Sequence, residues 1–541
     1  MSTVLTLLNP REAARHYASG SWRDETFYTL LQRHAAARPD GFALRDSRKR
    51  VTWKELLAWV DSVAESLHQE NLRKGDRVAV WLPSRVESVV AFLACARNGY
   101  VCNPSLHQNY TVAEIVQLLE RTRAKALFYQ AGYGADAKRN DIASQARSLS
   151  FLNEVSAFPK TEAKPSTPAD NDPDKIVYLA FTSGTTGVPK GVMHSDNTLL
   201  ANGRAMVADW KHEHSTILLS LSPMSHHIGT VALEQMMAAG FELVVNDPPA
   251  GMKPLDWILE AKATYIMGVP THAIDVLADV KRRGLKSMGA VRLFYMAGAP
   301  IPSEVAQAFL DMGVTPQNIY GMTENGSHQY TLPTDDAKTI VETCGRACAG
   351  YETRIFGQEN PDEEVPAGTI GEIGTRGALL MLGYFDNQAT TEDSFNRGGW
   401  FMSGDLGVLD ERGCLRIVGR KKDLIIRGGH NIHPARIEDL AHRHAAVQKA
   451  AAFGVPDQRL GEKACLAVIV REGTRLGAQD MLEHLHAAGL SKFDMPEYFI
   501  AIDAFPLTPS GKILKRELIA WVKSGRLAPQ PVRWTEPVKE A

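Results

Sequence analysis

One stretch, Ile176 to His194 (IVYLAFTSGTTGVPKGVMH), constrains this chain more than any other. An apolar run of strand character, Ile176 to Phe181, feeds into Thr182, Ser183, Gly184, Thr185, Thr186 and Gly187, then Val188, Pro189, Lys190 and Gly191. Glycines let backbone N–H groups approach an anion closely, hydroxyls donate further hydrogen bonds, and Lys190 brings positive charge. A polar surface loop would also carry glycines, but four hydroxyls packed among them directly after an apolar strand favour a polyphosphate cradle. The Walker pattern is excluded. It needs Gly-Lys-Ser/Thr, whereas here Pro189 precedes the lysine and Gly191 follows it.

At 541 residues the chain is too long for one core, and about 100 to 200 residues per domain predicts two or more units. No apolar run approaches the ~20 residues that cross a bilayer. The N-terminal MSTVLTLLNPREAARHY has an apolar patch without a preceding basic region or cleavage site, so a cytoplasmic chain without an export signal is expected. A formal net charge of −2 gives no reason to expect nucleic acid or an anionic membrane as partner. The six cysteines have neither zinc-type nor CxxC spacing, Cys344 and Cys348 included, and read as reduced thiols.

Along the chain, capping-box patterns at Thr52/Glu55 and Thr111/Glu114 start helices, Ser84 is placed to cap a helix from Arg85 to Arg97, and RVAVWLP and KALFYQ read as buried strands. Strand and helix alternate, the signature of a mostly parallel α/β sheet. Residues 152–175, rich in Pro, Asp, Thr and Lys, read as an exposed connection between two sub-lobes. The alternation then resumes, with a strand from Thr216 to Leu221 and helices from Val231, Thr271 and Ser303. This places Ser222 to Gly229, Ala297 to Pro300 and Tyr320 to Gly326 just beyond strand ends, where open α/β sheets bind ligands. From about Cys344 to Ile417 short strands with Gly turns suggest a barrel-like β unit. A boundary near Lys422 then separates a large N-terminal part, 1–421, from a small α+β part, 422–541.

The phosphate-loop string resembles that of the adenylate-forming (AMP-binding) superfamily, which includes acyl-CoA and aryl-CoA synthetases, luciferases and peptide-synthetase adenylation domains. The resemblance runs in the family's motif order from about residue 48 to 522. It implies two α/β lobes and a β unit in the large domain, a mobile small domain, and ATP, Mg²⁺ and CoA as reactants and cofactor. YGMTENG resembles the segment in which Tyr320 lies against adenine beside Gly321 and Met322, Thr323 serves the phosphates and Glu324 the magnesium. AGAP, with Gly298, Ala299 and Pro300, resembles the purine segment, and Asp405 and Arg420 match the residues that hold the ribose. PMSHHIG assigns the mouth of the acyl site to His226. Candidate acyl-pocket residues are His227, Gly298, Gly321, Met322 and Gly326, with glycines expected to leave room for a ring or chain. A paired-His zinc site is disfavoured, since neighbours on a strand face opposite ways.

By the same resemblance Lys512, in PLTPSGKILKREL, reaches the reacting carboxylate and α-phosphate. Lys422 is the hinge, and Gly428 and Gly429 line the route of the CoA arm. The implied reaction makes an acyl-adenylate with loss of pyrophosphate, then an acyl-CoA with loss of AMP. Passing the acyl group to a carrier protein is the alternative, disfavoured because IGTVALEQ lacks the Asp that would pair with a substrate ammonium, and no carrier domain is expected after Lys512. Luciferase chemistry and a non-catalytic nucleotide-binding protein are further alternatives, the latter disfavoured by Lys512, Glu324 and Asp405. The stretch VWLPSRVESVVAFLACARNGYVCNPSLHQNYT resembles cyclohexanecarboxylate-CoA ligases and relatives acting on alicyclic, aromatic or medium-chain acids. An apolar monocarboxylic acid is therefore expected; the oligomeric state is not legible.

Overall fold

The structure, a computed structural model, describes residues 5–146, 149, 151–159, 163–182, 189–299, 301–507 and 513–534. The strand and helix alternation builds two large sheets. The first runs Phe151–Glu154, Ala124–Tyr129, Arg77–Trp81, Val101–Asn103, Ile176–Thr182, Lys190–Ser195, parallel except for its last pair. The second has nine strands. It is parallel through Thr315–Met322, Leu293–Met296, Tyr265–Gly268, Ile217–Ser220, Glu242–Val244 and Phe42–Arg45, with antiparallel strands at either end.

Period-two alternation divides each strand between two cores. Val78 and Val80 join Leu218, Tyr265, Met267 and Tyr295 in a central core, while Ala79 and Trp81 face one outer cluster and Leu219, Ile266 and Phe294 another. The helices Val86–Asn98, Asp196–Trp210 and His227–Ala239 feed that central core, and the first and third are buried on nearly every face. A helix apolar all round must be interior, and these lie between the two sheets.

Both capping boxes form as expected, at Thr52/Glu55 and Thr111/Glu114. Ser84 is not a cap. Its Oγ accepts from Met224 N (2.9 Å), and the helix beginning at Val86 is served from a distance by Asp46 Oδ2 (3.2 Å). Nor does 152–175 divide two lobes. The strand after it, Ile176–Thr182, joins the same sheet as the strands before it, pairing Tyr178 with Cys102. The segment is fastened by polar contacts that composition does not reveal: Ser166 to the Glu65 carboxylate, Asp170 N to Arg97 O, and the buried Lys175–Asp196 ion pair at 2.7 Å.

The stretch expected to be barrel-like is a four-stranded antiparallel meander, Tyr351–Phe356, Gly371–Gly377, Phe401–Leu409, Leu415–Arg420. A single 3₁₀ turn, Lys421–Asp423, leads from it to a six-stranded sheet with its own core, packed by Pro434–His442 and Ala478–Ala487 on one side and Lys515–Lys523 on the other. All six cysteines are free thiols, and no helix among the described residues is long and apolar enough to cross a membrane.

Candidate active site

The parallel strands of the nine-stranded sheet end together, and the segments singled out beyond them meet at that edge. Ser222–Gly229 follows Ile217–Ser220, Gly298 and Ala299 follow Leu293–Met296, and Tyr320 to Met322 close Thr315–Met322. The strands that flank the phosphate-loop string, Ile176–Thr182 and Lys190–Ser195, are antiparallel neighbours in the other sheet. Thr182 and Lys190 are paired across the base of that string, and Arg121 Nη1 donates to Pro189 O at 2.5 Å. Ser183, Gly184, Thr185, Thr186 and Gly187 themselves, with Pro300 and Lys512, lie outside the described residues.

Register brings Asp405 and Arg420 together, because they are direct partners across antiparallel strands. Arg420 Nε lies 2.9 Å from Asp405 Oδ1, and the Tyr320 hydroxyl donates to Asp405 Oδ2 at 3.0 Å. The Asp405 charge holds the Arg420 pKa above its ordinary value. Tyr320, Asp405 and Arg420, the first two 85 positions apart, thus form one polar cluster.

A second cluster contains Glu324. Burial raises its carboxyl pKa, opposed by a hydrogen bond from the Tyr384 hydroxyl to Oε1 (2.9 Å) and by the charges of Lys190 and Arg420. The Lys190 ammonium sits over the Tyr384 ring, 4.7 Å from its centroid. Sequence reasoning missed Tyr384. It reaches the site because residues 382–385 run along the Lys190–Ser195 strand, with Phe385 N donating to Gly191 O and Met193 N to Gly383 O. The only local signal is a Gly-Tyr pair after an apolar run. His194 was also missed. Its Nε2–H donates to Thr323 O (2.7 Å), which leaves Nδ1 to accept from Thr198 (3.0 Å), and burial lowers its pKa to about 4. Neutral His194 therefore positions the Thr323–Glu324 backbone.

His226 and His227 are not on a strand. They are the N-cap and first residue of His227–Ala239, a helix that starts four residues before the expected Val231. His226 Nδ1 accepts from Ile228 N at 3.3 Å, and Gly229 is required inside the first turn because a Cβ there would lie 2.7 Å from Pro223 O. His227 turns inward, 3.2 Å from the Tyr178 hydroxyl and stacked on His194.

The glycines expected to leave acyl space do not do so at two positions. A Cβ on Gly321 would lie 1.9 Å from Gly326 O, and one on Gly326, at φ 62°, 2.7 Å from Asn202 Oδ1. Gly321 is small because the Thr315–Met322 and Gly326–Tyr330 strands turn tightly on each other, and Gly326 because Asn202 of the Asp196–Trp210 helix packs against it; Met322 packs between two apolar clusters. Gly298 has φ 88°. Gly428 and Gly429 are exposed, at φ 56° and 85°, the two turn residues between paired Arg427 and His430. Positive φ at both central positions is the requirement of a type I′ hairpin, so local geometry by itself favours glycine there.

Fold and placement define an α/β enzyme that handles its ligand at the carboxyl edge of parallel strands. The AMP-binding enzyme family model matches residues 31–385, and the AMP-binding enzyme C-terminal domain model matches 436–512. The chain belongs to the AMP-binding enzyme family. It is 29% identical over 536 residues to the medium-chain fatty-acid–CoA ligase of Escherichia coli K12, covering 95% of this chain and 93% of that one. It is 31% identical over 518 residues to the 3-[(3aS,4S,7aS)-7a-methyl-1,5-dioxo-octahydro-1H-inden-4-yl]propanoyl:CoA ligase of Mycobacterium tuberculosis, covering 91% and 98%. The ATP-bound crystal structure of MatB from Rhodopseudomonas palustris matches with TM-score 0.81 at 28% identity, over 92% of this chain and all of that one.

Proposed function

We propose that this protein is an ATP-dependent acid–CoA ligase acting on medium-chain, alicyclic or aromatic carboxylic acids, with cyclohexanecarboxylate as first candidate. The observation that carries the reading is the convergence of Tyr320, Asp405 and Arg420 with Lys190, Tyr384 and Glu324 around the base of the phosphate-loop hairpin. Its relatives' acids range from fatty to oxygenated bicyclic.

In this reading Tyr320, Gly298, Ala299 and Pro300 border the adenine, and Asp405 and Arg420 take the ribose hydroxyls as acceptor and donor. Residues 182–187 and Lys190 hold the phosphates, Thr323 adds a hydroxyl, and His226 stands at the acyl mouth. Glu324 fits a Mg²⁺ ion. The ion takes few protein oxygens and completes its shell from phosphates and water, and a buried carboxyl with a raised pKa beside Lys190 is one that a cation would return to its charged form. The ion would supply neutralisation of phosphate charge.

The substrate carboxylate attacks the α-phosphorus of ATP, forming the acyl-adenylate as pyrophosphate leaves. The CoA thiolate then attacks the acyl carbonyl and AMP leaves. Lys512 would donate to the oxygens that gain charge in the first step, a stabilisation worth on the order of 10²- to 10³-fold in rate for one preorganised donor. We take the small domain to begin at Lys422, the hinge of a swing that brings Lys512 in for the first step and the Gly428–Gly429 turn for the second. The test is incubation with ATP, Mg²⁺, CoA and a panel of acids. Acid-dependent release of pyrophosphate and AMP with thioester formation is expected, and no AMP release with any acid overturns the proposal.

A further inference from the structure

Helical spacing puts His227, Thr230, Val231 and Glu234 on one face of His227–Ala239. The helix leaves the site edge and runs back between the sheets, so Glu234 lies about 10 Å deeper than His227 at 1.5 Å per residue. It is fully buried, and neither carboxyl oxygen has a hydrogen-bond partner among the described residues. Its surroundings are named by its influence: its charge would bear on Tyr178, which His227 Nδ1 faces at 3.2 Å, and on Tyr295, whose hydroxyl is 2.8 Å from Ser327 Oγ. Burial pushes the Glu234 pKa well above the carboxylate range, so the group is a neutral acid with one O–H to donate and one C=O to accept.

His227 Nε2 is likewise buried without a partner, in a ring held neutral by a pKa lowered to about 3. The backbone carrying Glu234 is pinned, since a Cβ on Gly203 of the neighbouring helix would lie 2.5 Å from the Glu234 carbonyl carbon. Glu234 therefore cannot relieve itself by moving out. Buried polar groups left without partners are costly and rare, and here two of them lie on one face of the helix that His226 caps.

We propose that Glu234 is a specificity-determining residue: the acid activated by this enzyme carries a hydroxyl or keto oxygen on the part remote from its carboxylate, which hydrogen-bonds the Glu234 carboxylic acid while His227 lines the approach. This rests on the acid–CoA ligase reading and deepens it, replacing the apolar acid expected from sequence with an oxygenated one. A site built around a buried hydrogen-bonding group rejects the analogue that lacks the partner atom far more strongly than an apolar pocket rejects an added hydroxyl.

The experiment uses the full chain and pairs of ring acids identical except for one remote hydroxyl or keto group, assayed by AMP release. Wild type is expected to favour the oxygenated member by at least about tenfold in kcat/KM, and Glu234→Leu to abolish or reverse that preference by improving the plain acid, with KM for ATP unchanged. Equal use of both members by wild type, or an unaltered preference in Glu234→Leu, overturns the inference. Calorimetric binding of the two corresponding acyl-sulfamoyl-adenosines to wild type requires neither turnover nor a stable variant. Tighter binding of the oxygenated one supports the inference, equal binding refutes it while leaving the ligase reading intact, and no binding of either refutes both.

Discussion

The two clusters proposed to take the nucleotide and the acyl group are built on opposite principles. Around Tyr320, Asp405, Arg420, Glu324 and Tyr384 every named polar group has a protein partner within hydrogen-bond or ion-pair distance. Along the proposed acyl side, His227 Nε2 and both Glu234 oxygens have none among the described residues. A charged ligand that comes and goes from water must leave behind groups that neutralise one another, and Arg420, half exposed, is also solvated. Buried groups have no such recourse. An unpaired buried atom costs about 1–3 kcal/mol.

The largest expected effect sharpens the nucleotide half. Lys512→Ala should lower pyrophosphate exchange on the order of 10²- to 10³-fold, with thiolysis of a supplied acyl-adenylate largely retained; equal loss of both removes the division of labour between the two steps. Next is Asp405→Ala, which strands Arg420 and the Tyr320 hydroxyl together. A loss of roughly 10²-fold in kcat/KM for ATP is expected, as for truncating one member of a paired charge, and an unchanged value would dissolve the contrast drawn above.

Tyr384→Phe keeps the ring under Lys190 but deletes the donor to Glu324, with a cost of about tenfold at neutral pH. That hydrogen bond lowers a pKa which burial has raised, so its loss moves the Glu324 pKa further up. The ionised carboxylate disappears as pH falls, and the acid limb of the kcat profile should shift to higher pH in the variant; an unmoved limb would take Glu324 out of the reaction.

The smallest effect lies where the large and small parts touch. Glu304, half-buried beside Asp439 and 3.9 Å from His442, has a pKa raised by desolvation to about 7, while burial lowers that of His442 to about 4. A raised carboxyl pKa stabilises this contact fully below about pH 4.5 and loses that contribution as pH rises through 7. The lowered histidine pKa acts oppositely, present above about 6.5 and lost towards 4. Glu304→Gln should therefore flatten the alkaline side of a melting-temperature series between pH 6 and 8 by a few degrees and leave the acid side; an identical series in both proteins would exclude the contact as a pH-sensitive one.

Much of the fold was legible because local chemistry decides it. The hydroxyls of Thr52 and Thr111 cap where their spacing to Glu55 and Glu114 says they must, and the apolar run from Ile176 forms a strand up to the glycine-rich loop. Misreadings arose wherever a distant residue took over a local role. Ser84 gave up its cap to Asp46, 152–175 was tied to one lobe by Glu65 and Asp196, and Gly321 proved small for Gly326 rather than for a substrate. Tyr384 and His194 were missed because their partners lie 60 and 129 residues away.

By itself, then, the sequence determined the class of chain this is, through a glycine and hydroxyl string whose chemistry is intrinsic to its residues, and through the order of the segments that follow. Tertiary structure alone decided which of those residues meet. Asp405 and Arg420 became a pair only through antiparallel register, and Glu234 became a buried acid without a partner among the described residues only because a helix was placed between two sheets. Hydrogen bonding and burial depend on neighbours in space, and a linear string specifies those neighbours only after it has folded.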